Sequence, residues 1–415
     1  MEVSYNSQRQ LNQLYNKFNK CMLEKEIRLN SKSSDAMFFK TLFHKLNFAE
    51  NYINSNKIRN QIKKYSKNIT SIKEMKFPSI YNSSFFPEVV KKYVELNTIK
   101  SFIYNTKLDD RHINFHFYTS NNEIPESMFD VYVNYMLMWI YILNTYNSNT
   151  CSKHLNVFIF LTDLKKNIPH SNIDILDKEH VNTAYTIACS ENSEIVIYRK
   201  EEWFKVFLHE TMHNFGFDFS TMKLYDLNNQ IYNLFPIQSN FNLFESYCET
   251  WARIINSAFC SYSIQNNKNN IESFITHCNA FLQIERLFSL YQTNKILNFL
   301  GLKYENLYKK DEISITARNN LYREKSSVFA YFIITSIFMN DYTKFIKWCG
   351  LNNIQYLKFN QNPRTLQSFY TLIKTNYKDK IFIKSLNCIE TQTKRENTKK
   401  SSLDRNLRMS ILELN

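Results

Sequence analysis

The spacing of apolar positions changes character twice along the chain. Residues 8–29 and 35–53 repeat at helical spacing, and the basic stretch that follows, to residue 76, reads as a further helix. From about residue 110 the pattern changes: residues 112–119 alternate as a strand does, and 128–146 form a long apolar run that fits a buried helix. Residues 155–162, rich in β-branched and aromatic side chains, predict a buried strand. Residues 172–181 read as a loop, 183–189 and 194–198 as two strands around the turn 190–193, and 200–217 as a helix. Helical spacing then returns over 243–259, 271–291, 317–338 and 342–349. Beyond residue 387 the chain is polar and charged, which predicts a mobile tail.

This order predicts an α+β chain: a small mixed sheet with a backing helix and a second helix beside it, flanked by mainly helical N- and C-terminal regions. The divisions fall at 1–100, 101–262, 263–387 and 388–415. With 44% hydrophobic and 16% aromatic residues, the 415-residue chain has ample material for a core, so global disorder is excluded.

Chemistry enters at residues 200–217, where His209-Glu210-Thr211-Met212-His213 lies on the predicted helix. Residues four apart on a helix share a face about 6 Å apart, so both imidazoles can reach one Zn²⁺. Glu210 sits to the side of that face, where it can take the proton of an attacking water without being a ligand. Phe204, Phe207, Leu208 and Phe215 make the rest of the helix apolar, and Gly216, one of only three glycines, follows it. A third ligand is needed. A histidine six residues after His213 would supply one, but that position is Phe219. A carboxylate from a later helix is the alternative, and Glu245 and Glu249 share a helical face there.

With Glu245-Ser-Tyr-Cys-Glu249-Thr-Trp-Ala-Arg253 placed after HExxH, residues 112–260 resemble the gluzincin metallopeptidases. The segment is also similar to the Glu-rich helix of anthrax lethal-factor-like proteases. The resemblance implies a zincin-like fold and a zinc peptidase. Glu245 becomes the third ligand, Glu249 the acceptor for a ring N–H of His209, and Arg253 the partner that holds Glu249. The family more often has Asp at the position of Glu249, and the two glutamates could exchange roles. A substrate-binding edge strand falls on Asn182, Thr183, Ala184 and Tyr185, a stretch that reads equally as an ordinary interior strand. An oxyanion-stabilising residue is expected after the second motif, with Tyr322, Arg323 and His277 as candidates. The blocks 198–209 and 322–331 also resemble uncharacterised proteins of giant DNA viruses.

Composition changes this picture little. Scarce glycine with abundant Lys, Asn, Ile, Tyr and Phe fits an A/T-rich genome, such as that of a DNA virus or an intracellular parasite. The formal charge of +14 admits weak contact with nucleic acid or another anionic surface beside the polypeptide substrate, but the charge is not focused. Its densest run is Lys57, Arg59, Lys63, Lys64, Lys67, Lys73 and Lys76. Eight scattered cysteines without tight spacing predict reduced thiols. The apolar runs 135–143 and 328–339 are too short to span a bilayer, and no secretory signal is visible, so the expectation is an intracellular protein of host cytoplasm or virion. Two rivals keep a zinc but drop the peptidase: an inactive structural or virion-associated protein of zincin fold, and a basic nucleic-acid-binding protein with a structural zinc.

Overall fold

The computed structural model describes residues 1–22, 34–146, 150–395 and 402–415. Six strands form one mixed sheet: β1 (Lys63–Asn68), β2 (Lys100–Leu108), β3 (Arg111–Thr119), β4 (His154–Leu161), β5 (Ala184–Thr186) and β6 (Asn192–Ile197). Their order across the sheet is β1-β2-β3-β4-β6-β5. The central pairs β3–β4 and β4–β6 are parallel, and the rest are antiparallel. That arrangement explains the patterns. Strand β4, between two parallel neighbours, is buried over its last five residues, whereas β1 at one edge is exposed throughout.

Strand β1 corrects the helix expected up to residue 76. The lysines that suggested a helix face instead blunt a sheet edge, a standard defence against edge-to-edge pairing. Acidic neighbours partly neutralise them: Lys64 lies 2.9 Å from Asp130 and Lys67 lies 3.4 Å from Glu74. Helix Glu126–Asn144 crosses from β3 to β4 as the apolar run predicts, and Trp139 Nε1 donates to Thr211 Oγ1 at 2.8 Å, locking it to helix Trp203–Asn214. The other sheet face carries Tyr118, Phe158, Phe160, Val196 and Tyr198 under a cover that includes Met75, Tyr81, Phe86 and Val90.

The expected first helix, 8–29, is helical over Tyr5–Phe18, and residues 23–29 lie outside the described residues. The single helix expected over 317–338 is broken. Helix Glu312–Leu321 ends, and the next turn, a π-helix over Phe329–Ile334, is started by Glu324, whose carboxylate accepts from the N–H groups of Ser326, Val328 and Phe329. The thiols are also not all free: Cys21 pairs with Cys388 and Cys151 with Cys189, partners 367 and 38 positions apart that no local spacing announces. No described helix is long and apolar enough to cross a membrane.

The largest departure is the tail. Residues 396–401 lie outside the described residues, but 402–415 are packed into the core. Leu403, Leu407, Met409, Ile411, Leu412 and Leu414 are buried, and the isolated bridge Val3–Leu414 joins the segment to the start of the chain. The preceding lysines set the average polarity and concealed this apolar run. Buried carboxylates receive its backbone: Glu202 Oε1 accepts from Met409 N (3.0 Å) and Ser410 N (2.6 Å), and Glu285 Oε1 from Ile411 N and Leu412 N (3.0 Å each).

Glu202 gives a pH prediction. Burial alone would raise its carboxyl, but Lys166, Lys205 and Arg408 outweigh burial and hold it down to about 2. A depressed carboxylate contributes stability above its unfolded value of 4.5, and that contribution drains away as pH falls toward about 2. The difference is on the order of 3 kcal/mol. Melting temperature should therefore fall steeply between about pH 5 and pH 2. Glu202→Gln should be less stable at pH 7 and show a shallower acid limb; equal acid limbs would remove Glu202 from the account.

Candidate metal centre

Helix Trp203–Asn214 is buried at every position, between the β5–β6 edge of the sheet and helix Leu243–Ser263. It starts at Glu202, whose φ of +58° is left-handed, and whose N–H donates to Glu413 Oε1 at 2.9 Å. It ends at Gly216, φ +66°, with Gly216 N bonded to His213 O (3.0 Å) and Phe217 N to Met212 O (2.8 Å). A side chain there would be strained, and its Cβ would lie 3.5 Å from Cys151 Sγ.

On this helix His209 Nε2 and His213 Nε2 face each other at 3.1 Å. Glu245 Oε2, from the first turn of Leu243–Ser263, lies 3.1 Å from the first and 3.2 Å from the second. A tetrahedral ion with bonds of about 2.0–2.1 Å sets its ligands about 3.3 Å apart, so the triangle has the dimensions of a zinc face. The donor set fits as well. Burial alone would lower both imidazoles, yet Glu245 and Glu249 at His209, and Cys248, Glu245 and Asp218 at His213, hold both above their usual value.

Acidic groups also approach the remote ring nitrogens. Asp218 Oδ2 pairs closely with His213 Nδ1, and Glu249 Oε2 lies 3.2 Å from His209 Nδ1 without hydrogen-bond geometry. With the His213 Nδ1 proton directed to Asp218, its Nε2 lone pair points to the centre. Glu249 is itself clamped by Lys205 Nζ (3.1 and 3.0 Å) and Arg253 Nε (2.8 Å), and Arg253 Nη1 reaches Ser289 Oγ at 2.9 Å. Burial would raise the Glu249 carboxyl, but Lys205 and Arg253 hold it well below the usual range. Cys248 Sγ lies 3.6 Å from His213 Nδ1 and 3.7 Å from Asp218 Oδ2, so it lines the site in addition to filling core.

A cavity of about 30 Å³ opens beside the pair, lined by His209 and Glu210 among others. Burial pushes the Glu210 carboxyl up, opposed by the two histidines. Asn182, Thr183 and Ala184 line the same cavity, at the free edge of β5, which pairs only with β6 among the described residues. Arg199 pins the approach to this strand by donating to Glu179 O (2.6 Å) and Asn182 O (3.2 Å). The Tyr185 side chain points the other way, onto Phe85 and Phe86, as strand alternation requires, and does not line the cavity.

Tyr322 and Arg323 are also corrected. Tyr322 is buried beside Glu324, and Arg323 is exposed with its guanidinium on Asn320 O; neither lines the cavity, nor does His277. Tyr331, nine positions on, is the tyrosine that does. Its ring centre is 5.9 Å from that of His209, and its phenol feels the charges of Glu245 and Glu210. Burial, then Glu245 and Glu210, hold that phenol well above its usual value, so it remains a proton donor. Sequence reading also missed Lys166, Lys205, Asp218 and Met409. Lys205 had left a signal: it is the one cation on an otherwise apolar helix, one turn before His209.

No known family matches the chain, and no solved structure does. Half of the chain is 24% identical, over 218 residues, to an uncharacterised protein of Acanthamoeba polyphaga mimivirus, 53% of which is covered. The chain thus spans about half the length of the curated relative it matches. The likeness agrees with the giant-virus resemblance and carries no activity with it.

Proposed function

We propose that the chain is a zinc-dependent peptidase of the gluzincin kind, with a zincin-like core. The observation that carries this reading is the convergence of His209 Nε2, His213 Nε2 and Glu245 Oε2 within 3.2 Å of one another, beside a cavity that contains Glu210. His209, His213 and Glu245 would hold the zinc, with Glu249 and Asp218 orienting the two imidazoles. When bound, zinc supplies Lewis acidity to water and to the scissile carbonyl.

The protein's own residues do the rest. A peptide laid along the free edge of β5 gains main-chain hydrogen bonds from Ala184 onward. Glu210 takes the proton of the attacking water and passes it to the leaving amine. The Tyr331 phenol donates to the oxygen that gathers negative charge.

The test is digestion of a diverse peptide library by the zinc-loaded chain, read by mass spectrometry. Fragments should accumulate, stop with a chelator and resume with added zinc. A fully zinc-loaded chain that cuts nothing in the library would sink the reading.

A further inference from the structure

The segment 402–415 reaches the candidate centre from the far end of the sequence, and one of its side chains, Met409, walls the cavity. Val181, Ala184 and Val206 are the other apolar residues lining it. Val206 lies one turn before His209 on the same helix, and Ala184 is the cavity-facing residue of β5. The space is tight, with about 30 Å³ open to water-sized groups.

This wall is fixed. Met409 is 4% exposed, and its backbone N–H is held by Glu202, the residue that starts the metal-site helix. Glu285 holds the next turns through Ile411 and Leu412. Helix and wall therefore share an anchor, and the gap between them cannot widen without breaking buried, charge-assisted hydrogen bonds. A strand pairing with β5 points each residue to the same face as the residue opposite it. The substrate residue opposite Ala184 would then direct its side chain into this gap, next to the bond under attack.

We infer that Met409 sets the size of the substrate side chain accepted beside the scissile bond, favouring small side chains over large ones. The inference rests on the peptidase reading above. Met409→Ala removes Cγ, Sδ and Cε from the wall and leaves the backbone N–H bonds in place. Because a pocket discriminates by about tenfold or more per methylene, the variant should raise the kcat/KM ratio of leucine to alanine peptides by about 10- to 100-fold. Met409→Leu, similar in volume, should keep the wild-type preference.

Two measurements separate the inference from its foundation. A position-scanned peptide library is cleaved with the zinc-loaded wild type and both variants. In parallel, calorimetry measures binding of peptide hydroxamates bearing methyl, isobutyl or benzyl side chains to the same three proteins. The expected result is that Met409→Ala gains the larger residues in both series. Cleavage with an unchanged size order overturns the inference and leaves the peptidase reading standing. Reordered hydroxamate affinities without any cleavage overturn the peptidase reading and keep Met409 as the wall. Failure of every hydroxamate to bind overturns both. Should Met409→Ala fail to fold, Val206→Ala opens the same gap from the facing helix, and an unchanged order there counts against the inference equally.

Discussion

Glu210→Gln should lower kcat/KM for every cleaved peptide by at least about a hundredfold and up to about ten-thousandfold, the range over which a positioned proton acceptor contributes. In activation free energy this is roughly 3–5 kcal/mol. Gln keeps the shape of the side chain but cannot take the water's proton. Zinc content should stay at the wild-type level, because Glu210 lies outside the triangle of His209, His213 and Glu245. KM should change little, since substrate is held along β5 and not by this carboxyl. Folding should not suffer either: burial already disfavours the charged form of Glu210, so a neutral amide is well accommodated there. Mass-spectrometric rates with metal analysis and a melting curve read all three. A Gln variant that cuts at the wild-type rate removes Glu210 from the chemistry.

How much of this was legible follows from how local each signal is. His209, Glu210 and His213 lie within one helical turn, so chain spacing alone aligns them. Glu245 was reachable because it sits in a second local pattern whose order along the chain matches a known motif. The strands β3, β4 and β6 declare themselves by alternation and by β-branched content. Asp218, Tyr331 and Met409 carry no such signal, because what places them is tertiary packing. Tyr322 and Tyr331 show the difference well. On one unbroken helix, nine residues apart would set them on faces about 180° apart, but that helix ends at Leu321 and Glu324 starts another, so no face argument across the break could succeed.

Average composition misled in the same way at both ends. The lysines of β1 and those before residue 402 made both segments read as solvated, yet one completes a sheet and the other is core. In the buried tail Arg408 lies 3.6 Å from Glu413, and the backbone is held by Glu202 and Glu285. Such pairing belongs to the fold and is invisible to a window of residues. The same holds for the two disulfides, since chain separation never fixes cysteine connectivity.

The roles of Glu245 and Glu249, which sequence leaves interchangeable, should separate when each is replaced by Ala and both zinc affinity and apo stability are measured. Glu245→Ala removes the only carboxylate that faces both Nε2 atoms among the described residues, so its loss of zinc affinity should exceed that of any residue acting behind the imidazoles. Its apo form should fold, because two neutral imidazoles can share the space. Glu249→Ala should weaken zinc by about 10- to 100-fold, the usual effect of deleting an acceptor behind a ligating histidine, and Asp218→Ala should do the same at His213. Glu249→Ala differs from both in its effect on folding. It leaves Lys205 without its closest carboxylate and strips Arg253 of its ion pair, both side chains being almost fully buried, which costs about 3–5 kcal/mol. The expected pattern is therefore a metal-poor but stable Glu245→Ala and a metal-weakened, unstable Glu249→Ala. If Glu249→Ala lost its zinc outright while Glu245→Ala kept it at wild-type affinity, the ligand assignment would have to be exchanged, and with it the side of His209 from which the carboxylate approaches the metal.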